Sequence, residues 1–104
     1  MEFHKIELYV PESHLEKVKE ALFAAGAGRL GGYDKCCWQC PGEGQFRPLP
    51  GSSPFLGAKG QVEKVREWKL ELVCESSKLE EVLAALKAAH PYETPAYQAW
   101  PVRL

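Results

Sequence analysis

The sequence predicts an α+β domain in which a four-stranded antiparallel sheet carries two helices on one of its faces. Two segments place apolar residues at the three- and four-residue spacing of an amphipathic helix. Four further segments are extended, and the first and third of them alternate apolar with polar residues, as strands with one buried face do. Their order is β-α-β-β-α-β, and its simplest closed arrangement is the ferredoxin-like split βαβ sandwich.

The first strand and the first helix have the clearest patterns. Residues 3–10 alternate, and one face of this half-buried strand carries Ile6, Leu8 and Val10. Pro11 ends the strand, and helical spacing follows from Leu15 until a glycine stops it. Ser13 and Glu16 have the spacing of a capping box at the start of this helix, although Pro11 would also suit a start one turn earlier.

The two middle strands are predicted to form the centre and one side of the sheet. The second extended segment runs from residue 33 to about residue 40, and its pattern allows a continuation to residue 46. Gly42 and Gly44 interrupt that continuation and suggest a bulge or bend. The third strand spans about residues 65–74, and its apolar face predicts a central position.

The second helix and the last strand complete the order. Ser77 and Glu80 again have capping-box spacing, and the helical pattern of residues 79–89 stops before Pro91. Residues 95–102 form a last short strand, and a proline near its end predicts an edge position. No linker interrupts this order, so we expect residues 1–104 to form one domain.

Composition excludes several classes of function. Apolar residues make up 45% and charged residues 26% of the 104 residues, the balance of a globular protein. Thirteen basic residues oppose fourteen acidic ones, so no net field attracts nucleic acid or an anionic membrane. No apolar run reaches membrane-spanning length and the N-terminal residues do not resemble a signal peptide, so we expect a cytoplasmic protein.

The longest stretch without regular structure is expected to carry function. Residues 47–60 hold three prolines besides several glycines and serines, which disfavour both helix and strand. Four apolar side chains in or beside this loop need cover: Phe46, Leu49, Phe55 and Leu56. They could fold back on their own domain or dock at a cleft between subunits, and we expect docking, with Arg47 at the cleft mouth as an anion contact.

The cysteines allow a metal site but do not complete one. Cys37 and Cys40 supply two of the four ligands that zinc prefers. Cys74 could approach them if the two middle strands pair with Cys36 opposite it, and His4, His14 or a symmetry mate could add a nitrogen ligand. A zinc or copper ion is therefore the alternative to small, buried or incidental thiols, which we favour. A redox role is disfavoured because this CxxC lies on a strand, whereas redox pairs begin a helix.

Two short motifs contain residue types that could bind an anion or transfer a proton. The glycines before Arg47 could present backbone amides to an anion, but they lack the Lys-Ser/Thr of a P-loop and open no helix, so nucleotide binding by that route is unsupported. His90 ends the second helix, where a charged imidazole would complement the helix dipole. Tyr92 and Glu93 are expected to set the turn into the last strand and to contact a neighbouring subunit. No nucleophile accompanies His90 and Glu93, so we expect no enzyme.

The last segment and several earlier motifs resemble known families. His90-Pro91-Tyr92-Glu93-Thr94-Pro95-Ala96-Tyr97 is similar to the segment that begins the final strand of CutA-type proteins, relatives of the PII signalling proteins. Gly32-Tyr33-Asp34, Phe46-Arg47-Pro48 and Pro54-Phe55 extend the likeness to the inserted middle domain of YqfO-type dinuclear-metal proteins. The chain resembles a stand-alone version of that insert, and it lacks the flanking halves that carry the family's metal ligands.

This resemblance implies a non-catalytic, homo-oligomeric binding or regulatory module. A homotrimer is implied, with the sheets facing inward and the loop between the second and third strands near the clefts between subunits. The expected ligand is a small molecule, a metal ion or a partner protein, and the expected contact residues are Phe46, Arg47, Phe55, His90, Tyr92 and Glu93. The alternative function is metal handling by the cysteines at positions 36–40.

Overall fold

The computed structural model describes residues 1–104 and contains the predicted four-stranded antiparallel sheet, in the order β2-β3-β1-β4. The strands are β1 (Phe3–Pro11), β2 (Trp38–Phe46), β3 (Glu63–Glu75) and β4 (Tyr97–Val102). The helices are α1 (Leu15–Ala24) and α2 (Leu79–Ala89). Neither helix is long and apolar enough to cross a membrane. The ferredoxin-like fold predicted from the sequence is confirmed.

The core lies between the helices and one face of the sheet. β1 and β3 pair directly, with Ile6 opposite Leu72 and Leu8 opposite Leu70, and all four side chains are buried. The helices cover this face with Leu15, Val18, Leu22, Val82 and Leu86. Each fully buried aliphatic side chain stabilises the fold by about 1.5–3 kcal/mol. A slip of one residue would turn the whole apolar set to the opposite face, so this burial sets the register.

Both predicted capping boxes are wrong, whereas the earlier start suggested by Pro11 is present as a 3-10 turn that begins at Glu12. Each strand runs directly into a 3-10 turn, Glu12–His14 before α1 and Ser76–Lys78 before α2, and no side chain caps either start. Ser13 and Ser77 therefore lie inside these turns rather than ahead of a helix. The Ser13 hydroxyl contacts the neighbouring imidazole of His14 at 2.8 Å instead.

β2 begins five residues later than predicted, at Trp38, because another segment occupies the place beside β3. The N–H of Gly28 donates to the Val73 carbonyl at 2.8 Å, and the N–H of Cys36 donates to the Gly28 carbonyl at 2.8 Å. Only glycine fits there, since its φ is +81° and a Cβ would meet the Cys36 carbonyl oxygen and the Phe23 ring at 2.9 Å. Residues 29–37 are thereby displaced from the sheet.

The continuation of β2 to Phe46 is confirmed, and the bulge predicted at its glycines is absent. β2 pairs with β3 without a break from Trp38 opposite Glu71 to Phe46 opposite Glu63. β1 ends at Pro11, opposite Glu67, so the ends of β2 and β3 extend beyond it as a two-stranded ribbon. The loop of residues 47–60 joins the two strands at the far end of this ribbon.

The face of the sheet opposite the helices, called the open face below, carries paired charges. Lys5 Nζ lies 2.8 Å from Glu71 Oε1, and Lys69 Nζ lies 2.8 Å from Glu7 Oε1 and 3.8 Å from Glu71 Oε2. The Tyr9 hydroxyl donates to Glu7 at 3.1 Å. The hydrogen bond between Lys69 and Glu7 lowers the pKa of the carboxyl and raises the pKa of the amine. All five groups therefore satisfy one another across the strands.

Two tryptophans flank these charges. Trp38 lies opposite Glu71 and Trp100 lies opposite Lys5, so strand alternation puts both on the open face, where they are 57% and 37% exposed. Trp68 belongs to the other face, packs against the core, and directs its indole N–H toward Glu12 at 3.4 Å. The open face thus keeps large apolar side chains accessible on both sides of the ion pairs.

Candidate functional site

A cleft of about 850 Å³ lies where the β2–β3 ribbon leaves the sheet. Its floor is formed by open-face residues of β1, β2 and β3, because the bare backbone at Gly42 and Gly44 leaves the sheet surface uncovered there. One wall is the loop of residues 47–60, and the other is the segment 92–96 that leads into β4. The two segments that sequence analysis singled out thus meet across one cavity.

Aromatic side chains join the two walls. The Tyr92 ring centroid lies 6.1 Å from that of Phe46 and 6.3 Å from that of Phe55, with the ring planes tilted by 52° and 46°. The other side of the Phe55 ring meets His14 edge-on, at 5.4 Å between centroids. The loop therefore packs against its own chain, although Phe55 stays 48% exposed.

Polar contacts support the same arrangement. The backbone N–H of Ser53 donates to Glu93 Oε2 at 2.6 Å, which ties the loop to the opposite wall. At the base of the loop the N–H of Gly60 donates to the carbonyl of the buried Pro48 at 2.7 Å. These bonds give a segment without regular structure a defined path over the cleft.

Glu67 and Tyr92 form a polar pair in the floor. The Tyr92 hydroxyl donates to Glu67 Oε2 at 2.8 Å, and the other carboxylate oxygen, Oε1, receives no hydrogen bond within the chain. Burial and this bond raise the pKa of the Tyr92 hydroxyl well above its usual range, so it stays a donor. The carboxylate lies over Gly44, where a Cβ would overlap it. Gly44 is therefore required for contact with Glu67, not for a bend in the strand.

His90 occupies the predicted end of α2, where its backbone N–H bonds to Leu86, but its ring does not act as a charged cap. His90 is 6% exposed. Nε2 lies 2.7 Å from the Tyr9 carbonyl and Nδ1 lies 3.2 Å from the Tyr92 N–H. These partners assign the neutral tautomer in which Nε2 donates and Nδ1 accepts. Burial lowers the pKa of His90, which keeps the ring neutral.

Two cationic side chains line the cleft, and only one of them forms ion pairs. Lys69 is held by two carboxylates outside the cavity, as described for the open face. Arg47 is exposed, lines the cleft at the start of the loop and forms no ion pair. It is the lining cation that remains available to a bound group.

The contact residues predicted from the sequence lie in or beside this cavity. Five of the six predicted contact residues line the cavity, namely Phe46, Arg47, Phe55, Tyr92 and Glu93. The sixth, His90, contacts Tyr92 instead. Sequence analysis missed Tyr9, Glu67 and Lys69, which also line the cleft. Alternation alone assigns these three to the open face, but only the strand register shows which of them lie beside the loop.

The structure does not gather the cysteines into one cluster. All four are free thiols. Cys74 is buried in the core, where burial raises its pKa, and Cys37 packs against that core from its edge. Cys40 lines the cleft on the opposite face, and Cys36 approaches the Asp34 carbonyl at 3.7 Å. No three His, Cys, Asp or Glu residues form a group able to hold a metal ion.

Part of the chain that forms the cleft matches a known protein family. The family model described as CutA1 divalent ion tolerance protein matches residues 51–104, which include most of the loop, β3, α2 and β4. The chain belongs to the CutA1 family. The match covers the wall formed by residues 92–96 and most of the loop wall, so these parts of the cleft lie within the CutA1-family region.

Longer relatives resemble nearly all of this CutA1-family chain. A GTP cyclohydrolase 1 type 2 homolog of Halalkalibacterium halodurans is 40% identical over 99 residues, 95% of this chain and 27% of the relative. The homolog from Mycobacterium bovis is 48% identical over 90 residues, 86% of this chain and 24% of the relative. The chain thus spans about a quarter of the length of these curated relatives. The predicted likeness to the YqfO-type insert is confirmed.

Solved structures support the likeness to the longer relatives and the fold. A Bacillus cereus protein related to NIF3 superposes with a TM-score of 0.83 and 38% identity, over 97% of this chain and 26% of that one. The CutA protein of Archaeoglobus fulgidus superposes with a TM-score of 0.69 over 98% of this chain and 85% of that one, and its 22% identity establishes the fold alone. That protein is described as periplasmic, so the cytoplasmic location expected here stays a prediction.

Proposed function

We propose that this CutA1-family chain is a non-catalytic, homo-oligomeric binding or regulatory module whose ligand occupies the cleft between residues 47–60 and 92–96. The observation that carries the proposal is the convergence of both segments on one cavity of about 850 Å³. Small-molecule sites have volumes of about 300–1,000 Å³ and mostly apolar walls with a few oriented polar groups. Tyr92 and Glu67 supply such groups here.

The state of the histidine beside the cleft supports a binding role rather than catalysis. A general base needs a free nitrogen within reach of its substrate, and both ring nitrogens of His90 already have backbone partners. The GTP cyclohydrolase-type name belongs to proteins about three and a half times as long as this chain. The activity of those longer proteins is therefore not part of the function proposed for this module.

A trimer is the proposed assembly, with the expected subunit contacts on the open face and near the loop. The exposed indoles of Trp38 and Trp100 support this, because burying them against another chain removes apolar surface from water. Metal handling through the cysteines is the weaker proposal. Cys40 and Cys74 lie on opposite faces of the sheet, so a thiolate site would need ligands from more than one chain.

Binding in the cleft is tested with Nile red, an uncharged aromatic dye whose fluorescence rises in apolar surroundings. Gly42 lines the cleft, has open space where a Cβ would be and does not have positive φ, so Gly42→Leu should fill the cavity without backbone strain. We expect the wild-type chain to bind the dye and Gly42→Leu to bind it at least about tenfold more weakly, a loss of about 1.4 kcal/mol.

Gly32→Leu is the matched control. Gly32 also has open space and no positive φ, but it lies outside the cleft. This variant should bind the dye like the wild type, and both variants should keep the wild-type melting temperature. Equal dye binding by the wild-type chain and Gly42→Leu would show that the cleft is not the binding site.

A further inference from the structure

The floor of the cleft presents one carboxylate oxygen that is oriented but unused. The Tyr92 hydroxyl holds Glu67 by Oε2, and the carboxylate rests on the bare backbone of Gly44, so the side chain has little freedom to turn. Oε1 is the oxygen that lies against Gly44; it receives no hydrogen bond within the chain and is not completely buried, so one side of it stays open to the cavity. Because the Glu67 side chain is already held in place, Oε1 can accept a hydrogen bond from a ligand without a further loss of side-chain conformational entropy.

The charges that face the cavity favour a positive group at this acceptor. The acidic residues Glu67 and Glu93 line the cleft, whereas the ammonium of Lys69 is already bonded to Glu7 and close to Glu71. Arg47 is the other lining cation, and it lies on the exposed loop rather than in the floor. An anion placed beside Glu67 would meet like charge, and a cation would meet opposite charge.

The rings above the floor suit the same kind of group. Phe46 and Phe55 are each tilted by about 50° to Tyr92, with centroids about 6 Å from its own, so their faces do not stack on one another. Aromatic faces attract ammonium groups within about 6 Å of the ring centroid. The raised pKa of Tyr92 keeps its ring neutral and its hydroxyl a donor to Glu67.

We propose that the cleft binds a small organic molecule carrying a protonated amine on an apolar body, with the amine donating to Glu67 Oε1 beside the rings of Phe46, Phe55 and Tyr92. The proposal rests on the proposed function of the cleft as a ligand site and adds the chemical class of the ligand. The cavity volume fits a small molecule, and its rings would bury the apolar body.

The test compares two probes with the same body and opposite charge, tryptamine and indole-3-propionate. Each is titrated into the wild-type chain at pH 7.5 with bound Nile red, and its affinity is read from displacement of the dye. A charged hydrogen bond contributes about 1.5–3 kcal/mol, so we expect tryptamine to bind at least about tenfold more tightly than indole-3-propionate.

Glu67→Gln should remove most of that preference. The amide keeps an oxygen for the Tyr92 hydroxyl and so preserves the local fold, but it lacks the negative charge. Glu43→Gln is the matched control, because strand alternation puts the exposed Glu43 side chain on the face of β2 opposite Gly42 and Gly44, and it forms no ion pair or hydrogen bond. It changes the net charge equally and should keep the preference for tryptamine.

Three results would overturn the proposal: indole-3-propionate binding as tightly as tryptamine, an unchanged preference in Glu67→Gln, or an equal loss in Glu43→Gln. Dye binding that Gly42→Leu abolishes would still support the cleft in each of these cases. Failure of the amine assignment and failure of the proposed function are therefore separate outcomes.

Discussion

At the scale of single residues, the cleft depends on partners far apart in the sequence. His90 connects the Tyr9 carbonyl at the end of β1 with the backbone of Tyr92, and Tyr92 in turn holds Glu67 of β3. Each of these groups is satisfied by the next, and His90 satisfies both of its partners only while it is neutral. This part of the site should therefore respond to acid.

The stability of the chain should fall below neutral pH because of His90. Its pKa in the folded chain lies below the ordinary value of 6.5, so the unfolded chain takes up the proton first. The contribution of His90 to the free energy of unfolding should be complete above about pH 7. It should decrease as the pH is lowered from 7, until the pH is below the pKa of His90 in the folded chain. The loss is about 1.4 kcal/mol per unit of pKa depression.

Denaturant unfolding at pH 7.5 and pH 5.5 measures this loss, with His90→Gln as the test variant. The variant should be less stable at pH 7.5 and should lose less between the two values than the wild-type chain. His4→Gln is the control, since His4 contacts Ser76 rather than the cleft, and it should keep the wild-type loss. Parallel pH dependence in the wild type and His90→Gln would exclude this role.

At the scale of elements, the loop of residues 47–60 is ordered by contacts rather than by secondary structure. Phe55 lies between His14 and Tyr92, and Ser53 is bonded to Glu93. Leu49 and Phe55 nevertheless stay 58% and 48% exposed, so the loop covers only part of its apolar surface within one chain. The loop can therefore pack on its own domain and also dock against a neighbouring subunit.

Replacing Phe55 and Leu56 by Ser should destabilise the chain and weaken its assembly. Full burial of such a side chain contributes about 1.5–3 kcal/mol, and partial burial here should bring the loss to about 1 kcal/mol for each residue. Thermal unfolding should show a melting temperature lower by several degrees, and light scattering should show a smaller share of oligomer.

The matched control is Leu30→Ser with Tyr33→Ser, which removes exposed apolar side chains from a loop outside the cleft. It should change the melting temperature less than the Phe55 and Leu56 pair. If the Phe55 and Leu56 variant keeps both the wild-type melting temperature and the wild-type mass, the loop is a free arm and does not form a wall of the cleft.

At the scale of the whole molecule, the helices cover only one face of the sheet. The open face combines internally paired charges with the accessible rings of Trp38 and Trp100. Paired charges lose less on burial than single ones, because each keeps its partner when water is removed. This composition supports the proposed contact between copies of the chain.

Light scattering at micromolar concentration should return about three times the chain mass of 11.6 kDa. Trp100→Asp places an unpaired charge on the open face and should shift the population to monomer. Leu104→Asp is the control, because Leu104 is 64% exposed beyond the end of β4, and it should keep the wild-type mass. A monomer mass for the wild-type chain would exclude the trimer.

Several features were predictable from sequence because they depend on local pattern. The alternation that places Ile6 and Leu8 in the core and the spacing that forms α1 and α2 are properties of neighbouring residues. The start of β2 was not predictable, because it depends on Gly28 reaching the Val73 carbonyl across 45 positions of the chain. The helix starts were misjudged because a strand leads directly into each 3-10 turn.

The sequence by itself determined the fold class, the order of elements and the two segments that form the cleft walls. Those follow from burial of apolar residues at periods of 2 and 3.6, which any chain with this pattern must satisfy. Only the tertiary structure decided the floor of the cleft, where Glu67 lies over Gly44 and accepts from Tyr92. It also placed the neutral His90 ring against the Tyr9 carbonyl. Finally, it put Cys40 and Cys74 on opposite faces of the sheet. Each of these depends on strand register, which long-range packing sets and no short stretch of sequence records.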